Sequence, residues 1–128
     1  MTRISKLALF SLVIGALTGG SSAARAQGTD PNLVKRGRDL WFTRSCDACH
    51  SIGKGRRAGP DLMGVTERRS GAWLRKWLKN TEEMQASDST AMGLMAEFKG
   101  VKMVNPKLTA PDIEALISYI AAESRKKQ

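Results

Sequence analysis

From residue 30 onward the apolar positions recur at helical spacing, with no alternation of the kind that marks a strand. Leu33, Gly37, Leu40 and Trp41 fall at i, i+4, i+7 and i+8 and form one face of a helix, which Asp30 can cap and Pro31 can open. A Gly-rich basic stretch over 51–69, with Gly-Pro at 59–60, reads as loop. Ser70 can cap a second helix to about Lys79, with Trp73, Leu74, Trp77 and Leu78 as its buried stripe. Met92, Met95, Ala96 and Phe98 suggest a third helix near 88–98, ended by Gly100. Thr109-Ala110-Pro111-Asp112 has the form of a capping box, and Ile113, Leu116, Ile117, Ile120 and Ala121 then mark a terminal helix. The pattern predicts an all-α domain of three to four helices joined by loops.

The first 26 residues have a different character. Arg3 and Lys6 precede a short apolar run, Leu7 to Leu17, and Ala24-Arg25-Ala26 offers an A-x-A cleavage site with Gln27 as the first mature residue. The run is well short of the ~20 residues that span a bilayer. Residues 1–26 therefore read as a signal peptide, and residues 27–128 as one exported domain. A periplasmic location follows from that reading.

Charge adds a second constraint. The chain carries 21 Lys and Arg against 12 Asp and Glu, and removing Arg3, Lys6 and Arg25 with the signal leaves a net of +6. This suits a partner with an acidic docking surface, or an anionic membrane nearby. Nucleic acid is a poor candidate partner for an exported protein. Arg56 and Arg57 lie close after the cysteine pair and could flank the exposed edge of a group held there. The Arg125-Lys126-Lys127 tail is more simply a helix C-terminus favoured by the macrodipole.

The chemistry is concentrated in Cys46-Asp47-Ala48-Cys49-His50, which holds the only two cysteines and the only histidine of the chain. A structural zinc site wants four ligands, and there is no second pair. A thioredoxin-like redox pair needs a βαβ context, and no Val/Ile-rich strand precedes Cys46. Two thiols two residues apart with a histidine directly after them form the attachment signature of a c-type haem. Each thiol adds to one vinyl group as a thioether, and His50 binds the iron as proximal ligand. One covalent haem c, held by Cys46 and Cys49, is the cofactor this motif implies.

These features together resemble the small monohaem class I c-type cytochromes. Gly37-x-x-x-Trp41 precedes CDACH, Gly59-Pro60-Asp61-Leu62 follows it, and Leu108-Thr109 leads into a terminal helix containing Tyr119-Ile120. The likeness spans about residues 31–122. It implies a fold in which the helices wrap one covalent haem and the first and last helices cross, with Gly37 allowing close approach and Tyr119 packing against it. It also implies that the Pro60 carbonyl accepts a hydrogen bond from the other ring nitrogen of His50. Trp77 resembles a position whose indole N–H bonds a haem propionate, although plain packing suits both Trp77 and Trp73 equally.

The sixth ligand has five methionine candidates after the motif: Met63, Met84, Met92, Met95 and Met103. Met103 lies in the loop before Pro106 and matches the family's Met-Pro-Asn-like segment, here Met103-Val104-Asn105 without the proline. Met84 is the second choice, and lysine a weaker one. With His50 and Met103 as metal ligands the expected function is electron transfer by a monomer or weak dimer with no catalysis of its own. The rival readings are a cytochrome subunit of an enzyme complex and a gas-binding or peroxidatic haem protein with a labile sixth site.

Overall fold

The structure is a computed structural model and describes residues 30–128. The signal peptide expected over residues 1–26, with its cleavage before Gln27, lies outside the described residues. The described chain forms seven helical elements: α1 (Pro31–Thr43), α2 (Cys46–Cys49), α3 (Val65–Arg68), α4 (Gly71–Lys79), α5 (Thr81–Ser87), α6 (Ser89–Glu97) and α7 (Ala110–Arg125). Among the described residues the only β pairing is an isolated parallel bridge between Ser51 and Asp61. None of their helices is long and apolar enough to cross a membrane.

The four helices expected from the hydrophobic pattern are α1, α4, α6 and α7, and their caps behave as the residue types require. Asp30 accepts from the Asn32 N–H at 2.9 Å, and Ser70 from the Trp73 N–H at 3.2 Å. Thr109 and Asp112 cap reciprocally at the start of α7. Three elements go beyond the expected three to four. α2 and α3 are single turns inside segments read as motif and loop. α5 was hidden because its buried stripe, Thr81, Met84 and Gln85, is two-thirds polar while Glu82 and Glu83 face outward. α6 also differs in its packing. Of its expected apolar face only Phe98 is buried, whereas Met92 is 49 % exposed. In α1, Val34 rather than Leu33 joins Leu40 against the core.

The crossing of α1 and α7 organises the core. A Cβ built on Gly37 would lie 2.0 Å from the Ala115 carbonyl oxygen and 2.7 Å from Tyr119 Cβ. Only a hydrogen side chain permits that approach. One turn away, the Trp41 and Tyr119 rings meet at 6.0 Å between centroids with a 55° tilt. Across the same junction Arg36 donates to Asp112 at 2.6 Å, so the carboxylate that caps α7 also anchors α1. The core formed here contains Trp41, Ile52, Leu78, Leu108, Ile113, Leu116, Tyr119 and Ile120. α4 is tied to α7 by Arg75 and Glu114, 2.5 Å apart.

Two glycines in helices give opposite expectations. Gly37→Ala should destabilise the holoprotein by about 1–3 kcal/mol through overpacking, despite a gain of up to ~1 kcal/mol in helix propensity. A Cβ added at Gly93 in α6 would meet nothing within 4 Å, so Gly93→Ala should leave stability unchanged or raise it. Denaturant unfolding of the two variants side by side checks this, and equal midpoints would refute the close-approach account.

Candidate functional site

α1 ends at Thr43 and is capped by Arg44, and Ser45 takes a left-handed conformation, φ 53°, that redirects the chain into α2. α2 is a single helical turn, so residues three apart lie on one face, and Cys46 and Cys49 are such a pair. Both thiols are free, Cys46 half-buried against the core and Cys49 exposed. His50 steps out of the turn into extended backbone while its N–H still donates to the Cys46 carbonyl at 2.9 Å. Burial pushes the Cys46 thiol up to about 11, with the neighbouring Asp47 charge adding to it. That environment favours the protonated thiol over the thiolate.

The returning loop fixes the imidazole. His50 Nδ1 lies 2.9 Å from the Pro60 carbonyl oxygen. A carbonyl can only accept, so Nδ1 carries the proton and Nε2 keeps a free lone pair. Burial lowers the His50 pKa, opposed by this hydrogen bond, and favours the neutral ring. Gly59 sits beneath it, where a Cβ would come within 2.5 Å of His50 Cε1, and the Gly59 N–H bonds the Cys49 carbonyl at 2.8 Å. The loop is held by Asp61, a residue whose role the sequence did not disclose. Its carboxylate accepts from the N–H groups of Gly53 (2.8 Å), Gly55 (2.6 Å) and Met63 (2.8 Å) and from the Ser51 hydroxyl (3.0 Å). Burial alone would raise its pKa, but these donors outweigh that and bring it down to about 2.

Met103 lies between α6 and α7, half-buried and packed against the same core as Cys46 and Trp77. The Trp77 indole N–H donates to its sulfur at 3.2 Å, and the Trp73 N–H donates to Asp88 at 3.3 Å. The two indoles stack at 5.4 Å with an 8° angle. Trp77, for which a propionate bond and plain packing were equal expectations, directs its N–H at Met103 here, and both indole N–H groups have protein acceptors. The buried Gln85 amide holds the Met103 backbone, another contact the sequence did not signal. Met84 is completely enclosed, Met63 lies against Gly53, and Met92 is half exposed. Arg56 and Arg57 are engaged by the protein. Arg56 bonds Glu97 and lies 3.7 Å over the Phe98 ring, and Arg57 donates to the Asp47 carbonyl.

The family described as Cytochrome c matches residues 34–123, which include every residue just described. The chain belongs to the cytochrome c family. As a fold it is similar to a cytochrome c from Rhodothermus marinus, with a TM-score of 0.71 and 26 % identity over 77 % of this chain and 82 % of that one. It is also similar to the cytochrome c domain of the pp3183 protein from Pseudomonas putida, with a TM-score of 0.62 and 36 % identity over 70 % and 89 %. An engineered form of the Rhodothermus protein bound to a carbene intermediate gives a TM-score of 0.67 at 25 % identity, over 77 % and 83 %. No curated protein matches the chain.

The cytochrome has one CXXCH motif, so it is a monohaem c-type cytochrome, an all-α electron-transfer fold. Its residues fit covalent haem c. Cys46 and Cys49 offer two thiols on one helical face, His50 offers an oriented neutral nitrogen, and the Gly59 cradle leaves room only for a residue without a Cβ.

Asp61 generates an acid-stability expectation. Its folded pKa, about 2, lies below the ordinary 3.8, so its contribution is complete above pH ~4 and is lost as pH falls toward 2. Asp61→Asn should cost about 1–3 kcal/mol at neutral pH and flatten that acid limb. Unfolding midpoints of both proteins between pH 2 and 7 check it, and parallel curves would exclude the carboxylate as the cause.

Proposed function

We propose that this protein is a periplasmic carrier of single electrons in which His50 and Met103 are the two axial ligands. Haem, when bound, supplies an iron that exchanges one electron between ferric and ferrous states. The chain's own residues hold that centre still. Pro60 orients His50, the Trp77 N–H meets the Met103 sulfur, and Cys46 and Cys49 anchor the group covalently. With both axial positions filled by protein, no position is left for a substrate, and the protein has no catalysis of its own.

The observation that carries the reading is the placement of Met103, half-buried against the apolar cluster that also packs Cys46 and Trp77. Met84, the alternative, has no exposed surface within α5. A His/Met pair is the arrangement that raises a haem potential. Met103→Ala should abolish the near-infrared sulfur-to-iron band of the oxidised holoprotein and lower its potential. Met84→Ala should keep the band and lose about 2–5 kcal/mol of stability. Loss of the band in Met84→Ala with retention in Met103→Ala would reverse the assignment.

Residues 1–26 serve as the export signal in this reading, and residues 27–128 act as a monomer or weak dimer. Its partners are redox proteins with acidic surfaces, met transiently, some of them in membrane complexes. The segment around Met103 suits such encounters. Val101 and Val104 are 50 % and 81 % exposed, and Lys99, Lys102 and Lys107 are exposed beside them. Electron exchange with an acidic partner should slow as ionic strength rises from about 0.01 to 0.15 M, where the Debye length falls from ~30 to ~8 Å. Stopped-flow rates independent of salt would argue against charge-guided docking.

A further inference from the structure

Residues 101–109 contain no helix or strand, yet both backbone groups of Met103 are satisfied, and by a single side chain. Gln85 Oε1 accepts from the Met103 N–H at 3.0 Å, and Gln85 Nε2 donates to the Met103 carbonyl at 2.9 Å. The same amide nitrogen lies 3.2 Å from the Thr81 carbonyl, one turn back in α5. Gln85 is only 6 % exposed, so water cannot readily replace these bonds. The pairing offers Met103 what a neighbouring strand would offer, one donor and one acceptor at the right separation. The Trp77 carbonyl accepts from Thr81 Oγ1 at 2.8 Å, which joins the residue facing the sulfur to the element that grips the backbone.

We propose that Gln85 is a positioning residue for the axial methionine, fixing the Met103 backbone and so setting how readily the sulfur yields to a competing ligand. The proposal rests on Met103 being the sixth ligand. The sulfur withdraws when residues 101–105 lift, and lifting breaks both amide contacts at once. An external ligand binds only the lifted state, so its apparent affinity is its intrinsic affinity scaled by the lifted fraction. Removing the amide raises that fraction without changing the ligand set.

The test is imidazole binding to the ferric holoprotein, followed by optical titration. Gln85→Met keeps the side-chain volume, and Gln85→Ala removes it. Both should retain the sulfur-to-iron band without imidazole and bind imidazole about tenfold more tightly, a shift of about 1.4 kcal/mol. Ser124→Ala is the control for general destabilisation. It removes another buried partner, one that accepts from the Gly64 N–H at 3.0 Å and donates to the Ile120 carbonyl at 2.9 Å, and should leave imidazole affinity at the wild-type value. In the unmodified protein the Met103 amide should exchange slowly with deuterium although its segment is irregular, which decides the matter if neither Gln85 variant folds. Wild-type imidazole affinity in both Gln85 variants, an equal rise in Ser124→Ala, or rapid exchange of the Met103 amide overturns the positioning role. Persistence of the band in Met103→Ala overturns the ligand assignment itself, and the positioning role with it.

Discussion

The fold depends on a backbone contact that tolerates no side chain. At Gly37 the first helix lies against the carbonyl of Ala115 in the last, closer than any Cβ would allow. Two further interactions share that junction, the Trp41–Tyr119 ring pair and the Arg36–Asp112 ion pair. They act on different scales. The rings exclude water over a wide apolar area, whereas the ion pair, with Asp112 nearly enclosed and Arg36 half exposed, fixes the register of the two helices. Because Asp112 also caps α7, the start of that helix and its docking on α1 share one carboxylate.

Outside the helix crossing, order comes from side chains bonding to backbone. The proximal loop winds around Asp61, whose two oxygens serve three amides and a hydroxyl. Ser124 does similar work where Gly64 meets α7. Irregular segments cannot satisfy their own peptide groups, so a few buried polar residues do it for them. These residues contribute little apolar area, and of the two only Asp61 lies in the loop that carries Pro60 to His50.

Much of this was legible in the chain. The i, i+4, i+7 spacings located α1, α4 and α7, the Thr109–Asp112 box marked the start of α7, and CDACH identified covalent haem chemistry. The glycine at the crossing was legible from resemblance alone, since a mid-helix glycine is physically ambiguous until a neighbour is seen. α5 was not legible. Its buried face consists of a threonine, a methionine and a glutamine, and polar residues enter a core only when a partner elsewhere satisfies them. That partner for Gln85 is a backbone 18 residues away, which no local pattern reports. For the same reason the indole of Trp77 could be placed on a helix but not aimed. Arg56 and Arg57 stay exposed, and the contacts that fix their direction, with Glu97, Phe98 and the Asp47 carbonyl, were not signalled by the sequence.

The Arg36–Asp112 pair joins positions 76 apart in sequence, and the cysteines, His50 and Met103 all lie within the span it closes. Joining two ends over such a span costs about 4 kcal/mol of chain entropy, and the cost grows only logarithmically with length. Topologically the span is a ring fastened by noncovalent contacts at one place. Both thiols belong to a single turn near one end of it. A rigid planar molecule can therefore be bonded to that turn while the ring is open and enclosed when its ends meet. No chain has to be threaded past it.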